Sequence, residues 1–219
     1  PRIYIHEKSS YATFAQMTPQ QIRRVLTDSR GAHSMTFDDI RRHAGWETGI
    51  TYIKMMVALL AVAGEEIVVN YRQLWESTLT SLKLSPEQAE AMEIFHVDML
   101  SLRAQPIVNE GVKDVLHMEN QALVAMTRAL NGQRLLVVAN PTSHRQTGLV
   151  PLPDDWMPQN GDRLVFEEKY YKEDQPQSAL GPNVAAPIYI RSAEDLTRAS
   201  DQAKGLHIEL EPGQVHIFV

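Results

Sequence analysis

The 219-residue chain contains no cysteine, so neither a disulfide framework nor a thiolate metal site can hold it together. It has no excess of positive charge: 21 Lys and Arg face 27 Asp and Glu, a formal net charge of −6. That balance argues against a broad electrostatic footprint for nucleic acid, an argument that a local basic helix would escape. No long hydrophobic run is present. The longest, "MMVALLAVAG" at 55–64, falls well short of the roughly 20 residues needed to span a bilayer. No basic start, apolar core and small-residue cleavage site opens the chain. It begins at Pro1, directly on the strand-like "RIYIHE", which favours a cut inside a longer protein over removal of an initiator Met. With no cysteine and no leader, the expectation leans to the cytoplasm and to no membrane partner. No Gly-rich phosphate loop, Gly-x-Ser-x-Gly elbow or His-Glu-x-x-His occurs, so no cofactor is expected.

What is present is ordinary for a globular protein. Hydrophobic residues make up 43% and charged residues 22%, enough to bury a sizeable core in one large domain or two small ones. Residues 2–6 alternate and are rich in strand formers. "TPQQIRRVLTDSRG" predicts a helix, with Thr18 as N-cap, Pro19 at the first helical position and Gly31 as the stop. "TFDDIRRHAG" repeats that grammar, with Thr36 as cap, Asp39 three residues on and Gly45 as punctuation. "ITYIKMMVALLAVAG" is apolar on nearly every face and reads as a helix buried on more than one side. After Gly64, "EEIVVNY" fits a strand or the start of a helix. "SPEQAEAMEIFHVDMLSLRAQ" carries the strongest helix signals, with Ser85 as cap, Pro86 first and Gln88 completing a capping box.

From about residue 115 the period changes. Short apolar segments ("ALVAMTRAL", "QRLLVVAN", "TGLVPL", "RLVFEEKYY", "APIYI", "GLHIEL", "QVHIFV") are separated by turn-forming residues, the punctuation of an antiparallel β domain. "ALNGQR" is a two-residue hairpin signal. Residues 172–187 read as a long loop. The sequence predicts an α+β protein, a mainly helical segment over 1–110 followed by an antiparallel β-sandwich over 111–219, with the boundary near "AQPIVNEG".

The order of these pieces resembles the C-terminal part of the α-amylase superfamily of glycoside hydrolases and transglycosidases. "KMMVALLAVAGEEI" looks like the seventh helix of a (β/α)8, or TIM, barrel and the approach to its eighth strand. The long helix ends in "DMLSLRAQPIV". "NQALVAMTRALNGQRLLVVANPT" then opens the C-terminal domain, and "IELEPGQVHIF" matches the strand–Leu-x-Pro–strand hairpin that often closes it. The departures are plain: "GEEI" keeps only the core of the family's "GDEIG" or "GEEIG", and the Pro-bearing turn before it is absent. Where the family has Asn-His-Asp, the nearest candidate is "IHEKS". The resemblance implies a retaining glycosidase or transglycosidase acting on α-glucosidic bonds. It implies two catalytic carboxylates about 5 Å apart, at the ends of the fourth and fifth barrel strands. A chain that begins near the seventh strand contains neither, so it is not expected to be catalytic alone. The implied partners are an α-glucan or oligosaccharide bound through the full enzyme, and the remainder of a barrel or a second copy of this chain.

Through the same resemblance His6 and Glu7, at a strand end, become candidate substrate-binding residues. The alternative is a solvated polar pair on an edge strand. Glu65 and Glu66 are either a retained rim pair or a surface acidic pair. His33 and His43 with Asp38 and Asp39 have no metal-ligand spacing. His96, beside Phe95 in the long helix, reads as a partly buried structural histidine. His207 and His216 are expected to pair across the terminal hairpin. Trp46, Trp75 and Trp156 would stack on sugars if exposed, and buried packing is the default for at least two of them.

Two other functions compete. "FDDIRRHAGWETGITYIKMMVALL" has the helix–turn–helix grammar of a nucleic-acid-binding regulator. Its second helix, however, is apolar where a recognition helix needs exposed polar side chains. The other is a stand-alone carbohydrate- or protein-binding β module, which requires 115–219 to fold alone.

Overall fold

The computed structural model describes residues 2–6, 18–27, 32–36, 51, 54–55, 57–64, 66–69, 85–156, 163–167, 188–192 and 205–219. The first helix, α1 (Pro19–Thr27), begins where the sequence places it. Thr18 Oγ1 accepts from the Gln21 amide at 3.3 Å, and Gln21 Oε1 accepts from the Thr18 amide at 2.8 Å. These reciprocal bonds satisfy two donors that a helix start leaves open. Ile22 and Leu26, four residues apart, fall on one face and are fully buried.

The early part of the chain is not helical alone. β1 (Arg2–His6), β2 (Ala32–Thr36) and β3 (Glu66–Val69) form a parallel sheet in the order β2-β1-β3. β1 matches β2 from Arg2↔Ala32 to His6↔Thr36, and matches β3 from Arg2↔Glu66 to Ile5↔Val69. This settles "EEIVVNY" over Glu66–Val69, which is a strand. β2 was not expected, because "AHSMT" lacks the β-branched alternation that marks a strand. Pairing with β1 along its whole length supplies what propensity does not. β1 lies at the centre of the sheet, whereas an arc wound strand by strand would place β2 there. Gly31, the expected stop of α1, lies outside the described residues, and so does the helix expected after Thr36.

A buried helical segment, α2 (57–63, with 51, 54 and 55 also helical), is covered on all sides, each of residues 57–63 being at most 4% exposed. It stops at Gly64, whose φ of +79° is the left-handed conformation that ends helices and suits glycine. α3 (Pro86–Arg103) shows the expected capping box: the Gln88 amide donates to Ser85 Oγ at 3.2 Å, and the Ser85 amide to Gln88 Oε1 at 3.0 Å. A one-turn helix, α4 (Pro106–Asn109), follows.

A four-stranded antiparallel sheet then carries the core, in the order β11-β6-β5-β4. Its strands are β4 (Val112–Leu116), β5 (Val124–Leu130), β6 (Gln133–Ala139) and β11 (Val215–Phe218). β5 and β6 join through Asn131 and Gly132, both at positive φ (49° and 82°), as a two-residue hairpin turn with the right twist demands. β5 and β6 are buried on both faces, which explains why "LLVVA" is a continuous apolar run rather than an alternating one. Val124, Met126, Leu135, Val137 and Ile217 face a cluster containing α1, α2, Met99, Ile107 and Val108. Ala125, Leu136, Val138 and Phe218 face a second cluster on the other side.

That second cluster is closed by a separate two-stranded sheet, β7 (Gln146–Pro151) with β10 (Gly205–Leu210), and by Trp156 in the 3-10 turn Asp154–Trp156. A further antiparallel pair joins β8 (Arg163–Glu167) to β9 (Ile188–Ser192). The loop expected over 172–187 lies outside the described residues.

The terminal "IELEPGQVHIF" departs from expectation. β10 pairs with β7, and β11 pairs with β6. The "EPGQ" turn therefore carries the chain from one sheet to the other instead of closing a hairpin ladder. His207 stands opposite Leu149 and His216 opposite Val138, so the two histidines do not pair. His216 instead stacks on Phe218, with ring centroids 5.8 Å apart.

Candidate functional site

In parallel sheets covered by helices, ligands are bound outside the carboxyl ends of the strands. In this sheet that edge brings together His6, the last residue of central β1, its register partner Thr36 at the end of β2, and Val69 at the end of β3. His6 thus occupies the middle of the edge. Glu7 lies outside the described residues, as do Glu65, Asp38, Asp39, His43, Trp46 and Trp75. Glu66 opens β3 opposite Arg2, at the other edge of the sheet from His6. His33 lies within β2, opposite Ile3. Among the described residues no cluster of three or more His, Asp or Glu could hold a metal ion.

The remaining candidates have structural explanations. Trp156 is 4% exposed, and the Arg134 guanidinium lies over its ring at 5.5 Å, a cation–π contact on a packed indole rather than an open stacking platform. His96 sits half-buried on α3, and burial pushes its pKa below the ordinary value. Residues 57–63, read as part of a recognition helix in the helix–turn–helix alternative, are enclosed in the core and present nothing to a groove. Lys54, the one lysine of that helix, is itself buried and lies over the Phe95 ring at 5.7 Å.

Two side chains not singled out from the sequence prove central to the architecture. Arg128 projects from β5 and is 6% exposed. Its Nε donates to the Val62 carbonyl at 2.9 Å, one terminal nitrogen to the Ala63 carbonyl at 2.6 Å, and the other to the Gly111 carbonyl at 2.9 Å. The last carbonyls of α2 have no partner within the helix, and the negative end of the helix dipole favours a cation there. One guanidinium satisfies both requirements and ties the helix to the sheet. A Cβ on Gly64 would lie 3.1 Å from this guanidinium, so the left-handed glycine also makes room for it. The signal was a lone arginine inside the apolar "ALVAMTRAL".

Asn140 is fully buried. Its side-chain nitrogen donates to the carbonyls of His144 (2.8 Å), Leu210 (3.1 Å) and Glu211 (3.1 Å). Its oxygen accepts from the amide and the hydroxyl of Thr142 at 3.0 and 2.7 Å. One amide thus fastens the turn after β6 to the turn after β10. α1 is anchored at its middle and near its C-terminal end. Arg23 donates to the carbonyls of Gln121 and Leu123 at 3.1 and 2.8 Å, and Lys113 Nζ donates to the Leu26 carbonyl at 2.9 Å.

No family model matches the chain, and no curated protein matches it. Among solved structures, the chain is similar to an α-amylase from Anoxybacillus, at 14% identity and a TM-score of 0.46, over 78% of this chain and 32% of that one. It is similar to the α-amylase from Geobacillus thermoleovorans, determined with acarbose, at 14% identity and a TM-score of 0.47, over 77% and 33%. It is also similar to AmyP, determined with maltotriose, at 10% identity and a TM-score of 0.48, over 78% and 34%. The match thus takes in about a third of the length of each.

Proposed function

We propose that the chain is the C-terminal portion of a carbohydrate-active enzyme acting on α-glucosidic bonds. In this reading 111–219 is a β-sandwich that stabilises a barrel end to which 1–110 contributes, and the chain is not catalytic alone. The neighbouring parallel pair β1 and β3 stands for the last strands of that barrel, and β2 lies outside the simple winding order. Its glucan or oligosaccharide ligand is bound through the full enzyme, with His6 and Glu7 at the rim. The observation that carries the structural role is the shared core. The sheet face made by Val124, Met126, Leu135 and Val137 packs on α1 and α2, and Arg128 holds the end of α2. A stand-alone β module would leave that whole face in water, at a cost of about 25 cal/mol for each Å² of apolar surface exposed. The substrate class is supported by the resemblance of "GEEI" and "IELEPGQVHIF" to the family's motifs.

The test is the mass of the protein in its source cell, read by blotting with an antibody raised to 111–219. The expected species is substantially heavier than the 24.7 kDa of this chain, with the catalytic carboxylates encoded upstream. A single species at 24.7 kDa would sink the reading and move the weight to a binding role.

A further inference from the structure

We infer that Asn131 is a site of spontaneous covalent modification, at which the side-chain amide is lost through a cyclic imide formed with Gly132. The chain holds two Asn–Gly pairs, at 131–132 and 160–161, and the first is the turn between β5 and β6. An asparagine side-chain carbonyl carbon lies within ring-closing reach of the next residue's backbone nitrogen. What ordinarily blocks attack is the next residue's side chain, and glycine has none.

The hairpin supplies the other conditions. Asn131 and Gly132 are both exposed, so water and base reach them. A Cβ placed on Gly132 would meet no atom within 4 Å, so nothing packs over that side of the turn. The ladder closes at Leu130↔Gln133, which leaves the amide between the two turn residues outside the strand pairing.

The step balances with water alone. The Gly132 nitrogen gives up its proton and bonds to the Asn131 side-chain carbonyl carbon. The carbon–nitrogen bond of the side-chain amide breaks, and ammonia leaves with the proton. Water then opens the imide at either carbonyl. One opening leaves Asp at 131 with the backbone unchanged. The other routes the backbone through the side chain and adds a carbon between 131 and 132. Both products add one negative charge. The second lengthens a turn whose geometry depends on two residues, each at positive φ.

A control lies at the far end of the same strand. Asn140 is fully buried, its amide is held by three carbonyls, and it precedes Pro141, which has no N–H to attack with. β6 therefore runs between a reactive asparagine and an inert one.

The experiment is prolonged incubation of the intact chain at mildly alkaline pH, followed by digestion and peptide mapping by mass spectrometry. A synthetic linear peptide covering 129–135 is treated in parallel. The expected result is steady conversion of the 131-bearing peptide to two acidic products of equal mass, release of ammonia, and no change at Asn140. Asn131→Gln, whose longer side chain closes the ring far less readily, should leave that segment intact under the same conditions. The inference is overturned if Asn131 stays unmodified in the folded chain for the time the linear peptide takes to convert completely. It is equally overturned if Asn131→Gln releases ammonia from this segment as fast as the parent chain does.

Discussion

The two sheets at the heart of the molecule are built on opposite terms. The antiparallel sheet of β4, β5, β6 and β11 takes three of its strands from consecutive segments, two of them joined by the Asn131–Gly132 turn that the sequence announces. The parallel sheet of β1, β2 and β3 joins segments separated by whole helices, and its middle strand comes first in the chain. Antiparallel strands can be closed by a two-residue turn, while parallel strands need a long crossover that leaves no local mark. The comparison teaches where stability should be concentrated: at the places where the antiparallel sheet takes hold of the helical layer.

The strongest way to break the comparison is to empty the shared core. Leu60→Ala, at a fully buried position of α2, should cost about 4 kcal/mol and lower the unfolding midpoint of both parts together in denaturant. If only one spectroscopic transition moved, the two parts would be energetically separate. Arg128→Met keeps the bulk but removes three bonds to carbonyls. With those acceptors left buried, a loss of about 3 kcal/mol follows, seen as faster amide exchange in α2 than in β5. Asn140→Ala should cost about 2 kcal/mol and loosen β7 and β10 while sparing β5, a contrast that exchange measurements can read directly. Ser85→Ala removes the cap of α3 and should cost about 1 kcal/mol, with fraying confined to its first turn.

The smallest effect belongs to pH. Burial lowers the pKa of His96, so the unfolded chain takes up this proton first as pH falls. Stability from this group is complete above the unfolded pKa and is lost as pH falls through it towards the folded value. Replacement by Gln should flatten that loss in thermal melts taken between neutral and mildly acidic pH.

Legibility in the sequence followed the same division. The Ser85 capping box, the Asn131–Gly132 turn and the buried character of 57–63 were readable because each is written within a few residues. β2 was not, since "AHSMT" becomes a strand only through β1. The crossing of "EPGQ" between sheets was hidden because a turn signal fixes a reversal without naming the partner each arm will find. Arg128 was visible as an oddity in an apolar strand, but its meaning depended on a helix end more than sixty residues away. Of the candidate site, the sequence offered His6 and Glu7 at a strand end. The described structure adds that this strand is the central one.

The arrangement around Asn140 also bears on the order of events during synthesis. β6 and β7 are both flanked by strands drawn from 205–219, and the amide that ties their turn finds two of its three acceptors at Leu210 and Glu211. Neither sheet facing the second cluster can be completed until that segment has left the ribosome. Until 205–219 emerges, Leu136 and Val138 of β6 lack the cover of Leu206, Leu210 and Phe218, and a chain stalled or cleaved before 205 would keep that side of the cluster open. The emergence of β10 and β11 is thus the step that closes the second cluster, and exposure of apolar surface is greatest just before it.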